Sequence, residues 1–225
     1  MTKKIVVGLI GMLLMGLGAK AEAASCGAAP PTAIVFEAVP SPLAQDTSAS
    51  AKDLAIKLGA DSDRRAPGYY DAGVAISARR DTGIAKLPDG TVCAALVKLT
   101  VKLSLERKLW LASELTDNTC VLQAFATQYG ARGKADDDAI AQFGQTTVPT
   151  YQKQLAAIGW QTAKSQEEAI KEITDKTAPV MTEIQAKFAE QRTAAQSKIN
   201  LSQLPGEACD GATAKLGHKV GSGNG

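Results

Sequence analysis

The chain has 225 residues, of which 45% are hydrophobic but only 4% aromatic, with 25 Lys and Arg against 23 Asp and Glu. That length supports one sizeable core. The near balance of charge gives no electrostatic footprint for nucleic acid or an anionic membrane, and so few aromatics advertise no stacking platform for sugars or bases. In chain order, Lys3 and Lys4 precede an apolar run from Ile5 to Leu17 broken only by glycines, and Ala21-Glu22-Ala23 follows as a small-x-small cleavage pattern. The run falls short of the about 20 apolar residues that a permanent span needs. Residues 1–23 therefore read as a signal peptide cleaved before Ala24, residues 24–204 as a single exported domain and residues 205–225 as a flexible tail. A lipoprotein alternative would acylate Cys26, with Ala23 standing where a bulky aliphatic is usual. Lys3, Lys4 and Lys20 against Glu22 account for the whole formal charge of +2, so the mature protein is near neutral. The expected location is bacterial, periplasmic or secreted, with no nucleic-acid partner and no stable membrane span after cleavage.

Residues 33–39 read as a short strand ended by Pro40, and Thr47 to Leu58 as a brief helix stopped by Gly59. A β region follows over 72–79. Pro88-Asp89-Gly90 is a turn, after which Val97, Leu99, Val101, Leu103 and Leu105 alternate with polar residues in the clearest strand pattern of the chain. A period of two places Cys93 and Ala95 on the same inward face as these aliphatics. Strands are expected over 91–105 and 107–115. Helical spacing begins at Thr116-Asp117-Asn118 and predicts helices over about 117–158, interrupted near Gly144 and Pro149, and over 165–200. Ser165 to Glu168 fits a capping box, and Pro179 should kink the second helix near Asp175. The fold class is α+β, a small antiparallel sheet packed against a C-terminal set of long helices.

All four cysteines, Cys26, Cys93, Cys120 and Cys209, lie beyond the signal and read as two disulfides in an oxidising compartment. Three connectivities are open. The favoured one is Cys93–Cys120, tying a strand to the start of the next helix, with Cys26–Cys209 tying the ends of the domain. A zinc site is the rival, but no C-x-x-C pair is present and the sole histidine is His218 in the tail.

Glu114-Leu115-Thr116-Asp117-Asn118-Thr119-Cys120 and the segment Phe125 to Asp136 resemble the predicted secreted zinc-dependent proteases of bacteria, in which a cysteine precedes an H-E-x-x-H helix. The resemblance covers residues 72–160 and implies a zincin-like fold. In that family two histidines four apart hold zinc and the intervening glutamate activates water. Here Tyr129, Gly130 and Gly133 occupy those three positions, so no metal ligand, catalytic residue or cofactor is assigned. Taken alone, the small residues read as a helix segment that lets a strand approach closely.

The remaining candidates are weaker. Asp136-Asp137-Asp138 points in three directions on a helix and reads as a solvated face. Asp63-Arg64-Arg65 and Arg79-Arg80-Asp81 read as surface loops, and Trp110 and Trp160 as packing residues. Glu114 and Asp117 are the one acidic pair near the presumed cleft. Two functions follow as expectations: an exported non-catalytic binding or scaffold protein with a protein partner, which the resemblance would make a pseudo-metalloprotease, or a periplasmic or secreted hydrolase whose site is not recognised.

Overall fold

The computed structural model describes residues 25–61, 63–199, 209–213 and 215; the expected signal peptide, His218 and most of the expected tail lie outside them. Strands β1 (Ala33–Pro40) and β2 (Ala44–Asp46) are followed by helix α1 (Ala51–Lys57), then by the long hairpin of β3 (Gly68–Lys86) and β4 (Val92–Leu111). Helix α2 (Thr119–Gln142) continues through a π turn and a 3₁₀ turn into α3 (Gln152–Ala156). Strand β5 (Trp160–Ala163) and helix α4 (Gln166–Gln196) complete the order. The hairpin turn sits at Pro88-Asp89-Gly90: Leu87 N–H donates to Thr91 O, and Gly90 takes a φ of 88° that a side chain would resist.

Strand β4 carries the whole sheet. It pairs antiparallel with β3 along its full length. On its other side β5, β1 and β2 follow one another end to end, β5 antiparallel and the other two parallel. The sheet is therefore mixed, which corrects the antiparallel expectation. The α+β class stands, with α4 and the region after α2 packed on one face of the sheet.

Two features of β4 overturn further expectations. Leu96 pairs with Thr82 and Lys98 with Asp81, so Val97 is an extra residue, a bulge. It reverses the phase of alternation: Val92, Ala94 and Leu96 share the apolar cluster with Leu99, Val101, Leu103 and Leu105, and Cys93 and Ala95 turn to the opposite face. The second feature is that β4 does not break after Leu105. Arg107 occupies a helix-facing position and interrupts the apolar pattern, but its charge is met. It donates to Asp137 at 2.8 Å and to the Ser41 carbonyl at 2.9 and 2.5 Å.

An unbroken β4 sets Cys93 at one end and Cys120 beyond the other, about 60 Å of strand apart at ~3.3 Å per residue. A disulfide tolerates no more than about 7 Å between Cα atoms. The expected Cys93–Cys120 and Cys26–Cys209 pairs are thus replaced by Cys26–Cys93 and Cys120–Cys209, with Cα separations of 6.0 and 5.8 Å. Cys26, the candidate acylation site, has its sulfur in a disulfide. The two bridges fit an exported protein. No helix among the described residues is long and apolar enough to cross a membrane.

The helices follow their sequence signals closely. Ser50 caps α1 in a full capping box with Asp53, Asn118 caps α2 and Ser165 caps α4. Helix α4 runs as one element through Pro179, with Ala169, Ile173, Thr177, Val180, Ile184 and Phe188 buried. Its apolar stripe is spent on the core rather than left for a partner. Strand β5 was outside the expectation because four residues after Gly159 carry too short a pattern to read.

Non-reducing peptide mapping of the mature protein should recover Cys26 joined to Cys93 and Cys120 joined to Cys209. Each bridge closes a loop of 67 or 89 residues, so the chain-entropy model gives each about 4–5 kcal/mol. Recovery of a Cys93–Cys120 peptide would show the continuous β4 to be wrong.

Candidate functional site

The apolar interior falls into two clusters separated by a polar layer. The first gathers Leu96 to Leu105 of β4 with Phe143, Leu155, Ile173, Ile184 and Phe188. The second joins Leu109 and Leu111 to Leu54, Val121, Phe125 and Tyr129. Arg107 lies between Leu105 and Leu109, at the boundary. Beside it Asp136 is fully buried, against the expectation of a solvated acidic face. The three consecutive aspartates diverge as helical spacing requires: Asp136 inward, Asp137 to Arg107, Asp138 to Lys134.

Four donors satisfy the Asp136 carboxylate. Arg192 Nε and Gln196 Nε2 reach Oδ1 at 2.9 and 2.6 Å; the Tyr70 hydroxyl and Arg192 Nη2 reach Oδ2 at 2.6 and 3.3 Å. Two donors on each oxygen leave no lone pair for a metal or a proton-transfer partner, so the cluster ties β3, α2 and α4 together. Burial first, and then the Asp136 carboxylate, push the Tyr70 phenol far above its ordinary value. Tyr129 stacks on Tyr70 with centroids 6.5 Å apart, and burial pushes its phenol up to about 12.

Of the three positions that the protease resemblance singled out, Tyr129 is part of this packing. Tyr129 is wedged between Tyr70 and Phe125, and its hydroxyl donates to Gly68 O at 3.4 Å. A Cβ at Gly130 would meet nothing within 4 Å, and one at Gly133 only Arg107 Nη1 at 3.8 Å. Neither glycine is required for close approach, which corrects that reading. The close approach occurs at Gly68, where a Cβ would lie 2.5 Å from the Phe125 ring. Glu114 and Asp117 do not form an acid pair: the Glu114 carboxylate accepts the Ala51 N–H at 3.0 Å at the start of α1, and Asp117 is exposed. Arg79-Arg80-Asp81 lies within β3, not in a loop. Trp110 is a packing residue of the sheet surface, stacked on Tyr69 with Lys57 Nζ 3.6 Å above the ring.

What the side chains leave open is an edge. Leu105 O accepts from Ser41 N, and Arg107 N–H donates to Ser41 Oγ, so both point away from β3. Their β3 partners, Val74 and Ala72, thus belong to non-hydrogen-bonded pairs. The same alternation directs the N–H and C=O of Ala72, Val74, Ile76 and Ala78 off the sheet. Among the described residues, the one side-chain bond to these groups is an exposed 3.4 Å bond from Gln185 to the Ile76 carbonyl. Next to this edge a groove of about 340 Å³ runs between β3 and α4, lined by Val74, Ile76, Phe188, Ala189 and Arg192 among others. The start of the β1 edge is met by a side chain. The Gln152 amide accepts from Ile34 N–H and donates to Thr32 O, occupying the place of a peptide group in a further strand. No alternation rule marks an edge strand, so this feature had no signal in the sequence.

Comparison with known proteins finds no matching family model, no matching curated protein and no matching solved structure.

Two outcomes test the polar layer. Asp136→Ala should cost about 3–5 kcal/mol in urea denaturation, because it strands the Arg192 guanidinium, and Asp136→Leu with Arg192→Met should recover part of that loss. A cost for Asp136→Ala below about 1 kcal/mol would show the pair to be dispensable. Tyr129 holds its proton more tightly folded than unfolded. Its stabilisation is therefore complete below pH ~10 and lost as pH rises towards about 12, a loss on the order of 2 kcal/mol. Tyr129→Phe should match the wild type at pH 7 and lose less stability over that interval. Identical alkaline curves would refute the assignment.

Proposed function

We propose that the protein is a periplasmic or secreted bacterial protein with no catalytic role, and that it works by binding another polypeptide chain along β3. The observation that supports this reading is the open β3 edge. Nineteen residues is several times the usual strand length of about 5–6 residues, and the middle of the strand directs outward N–H and C=O groups that, among the described residues, meet only the Gln185 amide at Ile76. An extended chain added there gains main-chain hydrogen bonds, and the apolar groove beside Val74 and Ile76 takes alternate side chains. Proteins that do not use such an edge blunt it with proline, charge or a covering element. Residues 72–78, Ala-Gly-Val-Ala-Ile-Ser-Ala, carry neither proline nor charge.

Descent from a secreted zinc protease belongs to the same proposal. Tyr129 and Gly133 stand where the two imidazoles would be, and the ring of Tyr129 fills the space between Tyr70 and Phe125. Such a descendant would be a pseudo-enzyme that kept the scaffold. The hydrolase alternative loses the one acidic pair named for it, since Glu114 is committed to the start of α1.

The test is site-specific photo-crosslinking of the full chain in an exporting bacterium. p-Benzoylphenylalanine at Ser77, exposed on β3, should yield a covalent protein adduct, whereas the same group at Ala186, exposed on α4, should not. No adduct from position 77, or equal adducts from both, would overturn the binding reading.

A further inference from the structure

We propose that the occupant of the β3 edge is a second copy of this chain, paired antiparallel about a two-fold axis at Ala75; this rests on the binding reading above. The charge pattern of β3 is what selects the partner and the register. Asp71 lies four residues before Ala75 and Arg79 four after, and both are exposed. With Ala75 on the axis, Asp71 of each copy stands directly opposite Arg79 of the other, giving two opposite-charge pairs.

The backbone accepts this register. The outward-directed groups belong to the even-numbered residues, so Val74 meets Ile76 and Ala72 meets Ala78 in hydrogen-bonded pairs. Asp71 and Arg79 then form a non-hydrogen-bonded pair, the type in which side chains approach most closely. Ser77 falls opposite Gly73, where there is room for it. Asp71 makes no ion pair among the described residues. Arg79 holds Asp81 at 3.5 Å while 70% exposed, and Lys98 already binds Asp81 at 2.8 Å, so Arg79 is free to turn to a partner.

Neighbouring registers are worse. An axis at Ile76 sets Asp71 against Asp81 in both halves, and an axis at Val74 leaves Asp71 against Ser77 with no charge gained. An axis at Arg80 pairs Arg79 with Asp81 but places two Arg80 side chains face to face. The hydrophobic surface agrees with the axis at Ala75. A two-fold perpendicular to the sheet keeps both helical layers on one side, with α4 facing its copy across the axis. Val74, 37% exposed, and the groove it shares with Phe188 and Ala189 are then covered by the partner.

The experiment is light scattering coupled to size exclusion on the mature protein at micromolar concentration, with variants at exposed positions and circular dichroism to verify folding. The wild type should run at twice the chain mass. Asp71→Arg should weaken the dimer by about tenfold, and Asp71→Arg with Arg79→Asp should restore it. Ala75→Cys should form an intermolecular disulfide under mild oxidation, and Ser77→Cys should not, because each Ser77 faces Gly73. A monomeric wild type, a dimer indifferent to Asp71→Arg, or crosslinking at 77 in place of 75 would overturn the proposal. A monomer whose position 77 photo-adduct differs from twice the chain mass would refute the second copy and leave the binding reading intact. Absence of any adduct would refute both.

Discussion

Every other strand of the sheet hydrogen-bonds to β4, so its path decides where everything else can sit. At 20 residues it is too long for one compact cluster to cover. The chain instead builds two apolar clusters along it, the second beginning where Leu109 and Leu111 follow Arg107. The disulfides divide in the same way. Cys26–Cys93 fastens the N-terminal segment at the start of β4, and Cys120–Cys209 fastens the C-terminal segment to α2 beyond its end. A bridge from one end of β4 to the other is geometrically impossible, which is why each end carries its own.

The polar layer between the clusters has an energetic logic of its own. Arg107 and Asp136 would each be costly to bury alone. Arg107 is met by Asp137 and Ser41, and Asp136 by Arg192, Tyr70 and Gln196, so each charge has a partner and directional bonds. Apolar contacts tolerate sliding of α2 and α4 against the sheet. A carboxylate on α2 holding four donors from β3 and α4 does not, so the layer sets the registry of those three elements.

Much of this was legible in residues. The alternation from Leu99 to Leu105, the caps Asn118 and Ser165 and the apolar period of α4 all describe local order, and local order follows from local sequence. Failures came where a distant partner cancels a local penalty. Arg107 broke the β4 pattern because the compensating Asp137 lies 30 residues away. Val97 looks like an ordinary strand residue, yet as a bulge it sends Cys93 to the other face. Asp136 is indistinguishable from Asp137 and Asp138 until α4 brings Arg192 to it. The candidate site was the least legible part, since an open edge consists of backbone groups that every sequence carries.

Side chains meet the two edges of the sheet to different degrees. On the β1 side the Gln152 amide supplies both halves of a missing peptide, and Pro40 ends the strand where a further donor would be exposed. On β3 the comparable positions hold Ala72, Val74, Ile76 and Ala78, none of which can bond to its own backbone. Gln185 is the one side chain offered, at 3.4 Å and in solvent. Charge is absent from the centre of β3 and appears four residues to either side of Ala75, with opposite sign. Gatekeeping against all partners would favour like charges, which repel any copy in any register. Opposite charges placed symmetrically about Ala75 favour the one register that sets them against each other.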